Sequence, residues 1–74
     1  MEFVCVVSVK GSLASYIVQQ EPENRFKAVL KNYNGKQDDI PLEFVLQKTA
    51  DGWEAWPKHD EIVTSLAHAI EANR

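Results

Sequence analysis

The stretch FVCVVSVKGSLASYIV, residues 3–18, decides the fold because two strand-forming runs flank a glycine turn. Valine, isoleucine, phenylalanine and tyrosine favour extended backbone, and Gly11 is the turn signal between the runs. With Gly11 and Ser12 as a two-residue turn, the stretch predicts a β-hairpin in which alternate side chains share one face. That face carries Cys5, Val7 and Val9 beside Val18, Tyr16 and Ala14.

The alternation of side chains continues beyond this hairpin and predicts a second turn and three more strands. The segment EPENR, residues 21–25, predicts a three-residue loop with Pro22 in the first turn position and Asn24 in the left-handed conformation. The five predicted strands cover about residues 2–10, 13–20, 25–33, 40–48 and 53–56.

The third turn contains YNGK, residues 33–36, a sequence that favours a two-residue Asn-Gly hairpin. That register would place Arg25 and Lys27 opposite Phe44 and Leu42, so we expect a shift by one residue, with an extra loop residue or a bulge. Each large side chain kept out of water contributes about 1.5–3 kcal/mol, which outweighs an ideal short turn. Pro41 lacks an N–H group and implies an unpaired position on its strand. The shifted register pairs Phe26 with Phe44, Ala28 with Leu42, and Leu30 with Ile40.

The last hairpin, TADGW at residues 49–53, predicts a three-residue loop with Gly52 in the left-handed position. In that register Lys48 faces Glu54 and Leu46 faces Trp56. Trp56 then belongs to the core and Trp53 points outward, because residues three apart on a strand lie on opposite faces. Trp53 is either an anchor for a partner, or it packs on Lys48 or caps the hairpin.

Residues 60–73 predict an amphipathic helix. Asp60 and Glu61 suit its first turn and Asn73 suits a left-handed cap at its end. Its apolar stripe consists of Ile62, Val63, Leu66, Ala67, Ala69 and Ile70. The fold class is therefore α+β, a five-stranded antiparallel β-meander with a single C-terminal amphipathic helix packed on one face, in one domain spanning 1–74. The predicted strand core is Phe3, Cys5, Val7, Tyr16, Val18, Phe26, Ala28, Leu30, Ile40, Leu42, Phe44, Leu46 and Trp56.

Composition limits the classes of function. The net charge of −3 and the pI near 5.2 disfavour a nucleic-acid or anionic-membrane binder. A single cysteine excludes an internal disulfide, which fits a reducing compartment, and we expect a cytoplasmic protein. The apolar run from Phe3 to Val9 is too short for a membrane helix and lacks the basic leader of a signal peptide, so we expect no membrane association.

The outward face of the predicted sheet carries a candidate partner-binding surface. Neighbouring strands place apolar side chains there in a contiguous patch, and patches of this kind on small domains often mark interfaces. The alternative is that the sheet curls around the helix and shields part of the patch. The candidate residues are Val4, Val6, Ile17, Val29 and Val45, with Trp53.

A second candidate surface is a row of basic residues beside an aromatic one on the third strand. Residues 25–36 hold four of the eight basic residues and none of the eleven acidic ones. The side chains predicted to point outward on this strand are Arg25, Lys27, Lys31 and Tyr33. Single-strand nucleic-acid binders use such a row, with cations along the phosphates and aromatic rings under the bases. The alternative is a solvated strand whose lysines discourage aggregation. The succession of antiparallel strands and a helix resembles the plan of Whirly-type and PUR-type domains, which pair through such units.

The sequence contains no pattern that encodes catalysis, a metal site or a cofactor site. His59 and His68 lie nine residues apart, half a helical turn out of phase, so His59 fits a helix-entry role and His68 a solvated one. Cys5 lies mid-strand on the apolar face, where a thiol is inert. Adjacent acidic residues such as Asp60 and Glu61 diverge and cannot converge on a metal ion.

We therefore expect a small non-enzymatic interaction or regulatory module, homodimeric through the outward sheet face, whose partner is itself or another protein. The alternative is a domain that binds single-stranded nucleic acid through the basic and aromatic row of the third strand.

Overall fold

The computed structural model describes residues 2–35 and 40–73. Its elements are β1 (Glu2–Val9), β2 (Ser12–Glu21), β3 (Arg25–Tyr33), β4 (Glu43–Thr49), β5 (Gly52–Trp56) and α1 (Asp60–Ala72). The strands form one antiparallel sheet in the order β1-β2-β3-β4-β5. The predicted α+β class, the meander and the single C-terminal helix are confirmed.

The first hairpin has the predicted faces but a different turn. Val9 pairs with Ser12, so the two loop residues are Lys10 and Gly11, with φ angles of 50° and 81°. The predicted Gly11–Ser12 turn was wrong. Two consecutive positive φ angles match the right-handed twist of the strands, which explains the turn that forms. The pairing moves by two residues, so every side chain keeps its face.

The second hairpin has the predicted three-residue loop, since Glu21 pairs with Arg25 and Asn24 has a φ of 61°. Further along, Tyr16 pairs with Leu30 but Ser15 pairs with Asn32, so Lys31 is an extra residue in β3. A β-bulge of this kind leaves the extra residue unpaired and changes the alternation of side chains after it. The faces predicted for the side chains at the end of β3 were therefore wrong.

The β3–β4 pairing avoids the two-residue Asn-Gly hairpin, as expected, and keeps the apolar faces together. Phe26 pairs with Leu46 and Ala28 with Phe44, two residues away from the predicted partners. Asn34 continues alongside β2: its Oδ1 accepts a hydrogen bond from the Leu13 N–H at 2.9 Å, and its own N–H donates to the Leu13 carbonyl at 3.3 Å. Residues 36–39, where the extra loop residue was expected, lie outside the described residues.

Pro41 explains why β4 begins at Glu43 and not at residue 40. Proline has no N–H for the ladder, and the Pro41 carbonyl instead accepts a hydrogen bond from the Tyr16 hydroxyl at 2.8 Å. Ile40 is buried as predicted. Leu42, which was placed in the core, is 64% exposed, because it precedes the strand and only its carbonyl meets β3.

The last hairpin has a two-residue loop, Ala50 and Asp51, and not the predicted three-residue loop. Thr49 pairs with Gly52, which has a φ of 137°, and Leu46 pairs with Ala55. One residue fewer in the loop exchanges the two faces of β5. Ala55 is buried and Trp56 is exposed, so the assignment of Trp56 to the core was wrong.

Helix α1 covers the core face of the sheet through Ile62, Leu66 and Ile70, which are fully buried. His59 is the N-cap, and its Nδ1 accepts a hydrogen bond from the Ile62 N–H at 3.4 Å. Asn73 is the C-cap, but its φ of −102° is not left-handed. The sheet residues buried beneath the helix are Cys5, Val7, Val9, Ala14, Tyr16, Val18, Phe26, Ala28, Phe44, Leu46 and Ala55. Phe3 and Leu30 are half-buried against them.

Candidate protein-interaction surface

The face of the sheet that α1 leaves uncovered carries a contiguous apolar patch. Val4, Ile17 and Val29 are directly opposite one another across β1, β2 and β3. Side chains in such cross-strand positions lie about 4.5–5.5 Å apart at their Cβ atoms and touch. Val4 is 51% exposed and Val6, two residues along β1, is 60% exposed. These four predicted residues therefore lie together.

Two further apolar side chains lie on the same face, on β4 and on the edge strand β5. Val45 lies diagonally next to Val29, which pairs with Glu43, and it is directly opposite Trp56. Trp56 is 50% exposed, an unusual position for the largest apolar side chain. We define the outer patch as Val4, Val6, Ile17, Val29, Val45 and Trp56. Trp56 is the member that the sequence interpretation missed.

Trp53, which was predicted to belong to this surface, lies on the other face of the sheet. Its ring packs against Phe26 with 5.5 Å between ring centroids, and the Lys48 Nζ lies 5.2 Å from the centroid of its ring. The same Nζ pairs with Glu71 Oε1 of α1 at 3.1 Å. The structure agrees with the alternative in which Trp53 packs on Lys48.

A signal for the correct placement was present in β5 itself. The predicted register put Glu54 on the core face and Ala55 on the outward face. The reverse arrangement exposes the only charged residue of this strand and buries a small apolar one beneath the helix. Either register buries one tryptophan and exposes the other. Only Glu54 and Ala55 therefore distinguish the correct register from the predicted one.

Polar side chains beside the outer patch are held by partners within the chain. Lys27 Nζ lies 3.6 Å from Glu43 Oε2, an ion pair that runs between Val29 and Val45. At the β1 end, Gln19 Nε2 donates to Glu2 Oε1 at 2.7 Å. These contacts hold the polar side chains around the patch in place within the single chain.

The basic and aromatic row is only partly assembled. Arg25 and Lys27 remain on the outward face, and Arg25 Nε donates to Gln47 Oε1 at 3.3 Å. The bulge at Lys31 moves Tyr33 to the core face, where it lies opposite Ala14 and packs against the core. An added Cβ at Gly35 would lie 2.5 Å from the Tyr33 ring, so Gly35 allows this close approach. The predicted outward position of Tyr33 was wrong.

The candidate catalytic and metal-binding residues are separated. Burial raises the pKa of the Cys5 thiol above its ordinary value, which keeps it protonated and unreactive at neutral pH. His59 serves as the helix cap and His68 is exposed on α1. Residues 2–35 and 40–73 contain no cluster of three or more side chains suited to hold a metal ion.

Two open grooves flank α1 on the side of β5. One of about 720 Å³ lies between the helix and Trp53, with Val63 and Ala67 on its wall. Another of about 420 Å³ lies around Trp56, Lys58 and His59. The first groove is also lined by His68 and Glu71, and the second by Glu54 and Asp60.

Within the described residues no helix has the length and apolar character to cross a membrane. No family model matches the sequence, and no curated protein or solved structure is significantly similar to it.

Proposed function

We propose that the chain is a small non-enzymatic protein-interaction or regulatory module that forms a homodimer through the outer patch. The observation that carries the proposal is the outer patch itself: six apolar side chains from five neighbouring strands, with Val4, Val6, Val29 and Trp56 all at least 39% exposed. Exposed apolar side chains grouped on one face of a small domain are typical of a protein interface.

The size of the sheet face suits a dimer. Five strands about 4.8 Å apart and eight residues at about 3.3 Å each give a flat area of about 500 Å². Side chains that stand on this area increase its accessible surface toward the roughly 800 Å² per partner of specific protein interfaces. A face-to-face pairing of two sheets, about 10 Å apart, would bury the patch of each copy against the other.

The charges around the patch favour a second copy as the occupant. Lys27 and Glu43 neutralise each other within the face, and Glu2 is bonded to Gln19. Two acidic chains repel each other over long distances, but the surfaces that meet here carry charges of both signs. A two-fold axis perpendicular to the line from Lys27 to Glu43 would place Glu43 of one copy near Lys27 of the other.

The arrangement supports a protein partner over the nucleic-acid alternative. The nucleic-acid alternative used Tyr33 as the ring on which bases stack, and Tyr33 packs against the core instead. The Lys27 ammonium group is paired with Glu43, which lowers its value as a phosphate contact.

The experiment that tests the proposal compares Val29→Asp with Thr64→Asp by analytical ultracentrifugation over a range of concentrations. Val29 lies at the centre of the outer patch, and Thr64 is exposed on α1, so both variants gain the same charge on a surface. We expect Val29→Asp to weaken self-association through the outer patch about a hundredfold, because a carboxylate would lose its water in that interface. Thr64→Asp should behave as the parent does.

Circular dichroism of both variants shows whether the fold is intact. A parent chain that stays monomeric up to millimolar concentration would contradict the homodimer. Equal association of all three chains would show that the outer patch is not the interface.

A further inference from the structure

The free edge of β1 presents a regular row of backbone hydrogen-bonding groups. The N–H and C=O groups of Leu13 both meet Asn34 on the β3 side, so they do not bond Ser8, which lies opposite Leu13 on β1. Successive residues of an antiparallel strand direct these groups to opposite sides. The groups that point away from the sheet are therefore those of Glu2, Val4, Val6 and Ser8.

The two edges of the sheet differ in how they are protected. Natural edge strands avoid unwanted pairing by being short, or through charges, prolines or bulges. Strand β5 has five residues, with Glu54 at its centre and Pro57 directly after it. Strand β1 has eight residues without proline, lysine or glycine, and its only charge is Glu2 at one end. The β1 edge is thus open to another strand.

We propose that β1 pairs antiparallel with β1 of a second copy, in the register that places Cys5 opposite Cys5. This interface is distinct from the outer patch and goes beyond the function proposed above. In this register Glu2 pairs with Ser8 of the second copy, and Val4 with Val6. Four such pairs form around the two-fold axis, and each exchanges two hydrogen bonds. Registers centred on Val4 or Val6 leave some of these groups unpaired.

The side chains suit the same register. Val4 and Val6 lie on the outward face in both copies, so two outer patches would join across the axis into one apolar surface. On the core face α1 lies closest to β1, so the two helices would approach each other. The helix side away from Trp53 carries Ser65 and Ala69, which are small enough to permit this approach.

The single cysteine of the chain reports the register directly. Residues opposite each other in a non-hydrogen-bonded antiparallel pair have Cα atoms about 4.5 Å apart, within the range of a disulfide. Because burial raises the pKa of the Cys5 thiol and keeps it protonated at neutral pH, we expect slow oxidation by diamide at alkaline pH to link the parent chain into a covalent dimer through Cys5, visible on a non-reducing gel and reversed by dithiothreitol. The same link should form in Val29→Asp, whose outer patch is disrupted and whose β1 edge is intact.

A matched pair of variants separates backbone pairing from side-chain contact. Val6→Ala and Val6→Pro both lose the isopropyl group, but only Val6→Pro also loses the edge N–H. We expect Val6→Ala to be linked as the parent is and Val6→Pro to lose at least nine tenths of the covalent dimer. Circular dichroism checks that both variants fold.

Amide hydrogen exchange of the unmodified parent gives a second measurement that needs no oxidant and no substitution. At concentrations where the chain is associated, the amides of Val4 and Val6 should exchange at least tenfold more slowly than in dilute solution. Fast exchange of both amides in an associated sample that also fails to cross-link would overturn the β1 interface. That result would leave the outer-patch dimer standing, because face-to-face packing does not engage the β1 edge.

Discussion

Tyr16 is the residue on which most of the core geometry depends. Its ring is fully buried and meets Phe44 edge-on, with 5.6 Å between the ring centroids. Its hydroxyl donates to the Pro41 carbonyl and so holds the segment before β4 against β2. Burial, with a smaller contribution from the charge of Tyr33, raises the pKa of Tyr16 to about 12. A tyrosine that resists ionisation in the folded state makes the fold sensitive to alkali.

We predict that the free energy of unfolding falls as the pH rises from 10 to 12. Tyr16 ionises near pH 10 in the unfolded chain and near pH 12 in the folded protein. Its contribution is therefore fully present below pH 10 and is lost between these values, by up to about 2–3 kcal/mol. Urea titrations followed by circular dichroism at several pH values measure this fall.

Tyr16→Phe should remove most of this pH dependence. At pH 9 the variant should be less stable than the parent by about 1–3 kcal/mol, because the Pro41 carbonyl loses its donor. Tyr33→Phe should keep most of the fall, since the charge of Tyr33 makes only the smaller contribution to the raised pKa of Tyr16. An unchanged fall between pH 10 and 12 in Tyr16→Phe would assign it to other groups.

At the scale of one element, the N-cap of helix α1 forms a hydrogen bond but uses a residue that is not among the preferred ones. The His59 Nδ1 reaches the Ile62 N–H at 3.4 Å, which is longer than usual hydrogen bonds of this type. Serine, threonine, aspartate and asparagine are the residues preferred at this position, because their short side chains reach the first free N–H groups.

We predict that His59→Ser stabilises the protein by about 0.5–1 kcal/mol through a shorter capping hydrogen bond. His59→Ala, which has no acceptor, should be the least stable of the three chains. Urea unfolding at one fixed chain concentration provides the comparison. If serine and alanine give equal stability, the side chain at residue 59 does not cap α1.

The hairpins show which features of an element the sequence predicts well. Strand positions and the pairing of apolar faces follow from many side chains at once, so the faces of β1, β2 and the start of β3 are as predicted. Loop lengths depend on one or two residues with small energy differences. The two-residue turn at Lys10 and Gly11 preserved the faces, whereas the shorter loop before Gly52 exchanged the faces of β5.

The bulge in β3 had no clear sequence signal. Lys31 is exposed, and an inserted polar residue leaves no gap in an apolar pattern. The bulge turns Tyr33 toward the core, and Gly35 leaves room for the Tyr33 ring there. The sequence interpretation took Gly35 only as part of a turn. For this reason the basic and aromatic row was predicted as continuous. The five aliphatic residues of the candidate interface lie where they were expected, and the tryptophan beside them is Trp56.

At the scale of the whole molecule, the net charge of −3 opposes binding of a polyanion. We predict that a mixed-sequence single-stranded oligonucleotide at low salt produces no saturable amide shifts at Arg25, Lys27, Lys31 or Tyr33. NMR titration of the labelled chain is the measurement. Saturable shifts at these residues that weaken as salt is added would restore the nucleic-acid alternative.

The difference between the two edges of the sheet limits how many chains can join it by strand pairing. If β1 is consumed by pairing with its own copy, the enlarged ten-stranded sheet exposes β5 at both of its ends. Each end then carries the charge of Glu54 and the missing N–H of Pro57, which discourage a further strand. Pairing of further strands at the sheet edges therefore stops at the dimer. The chain can keep an open edge strand for pairing without forming a fibril.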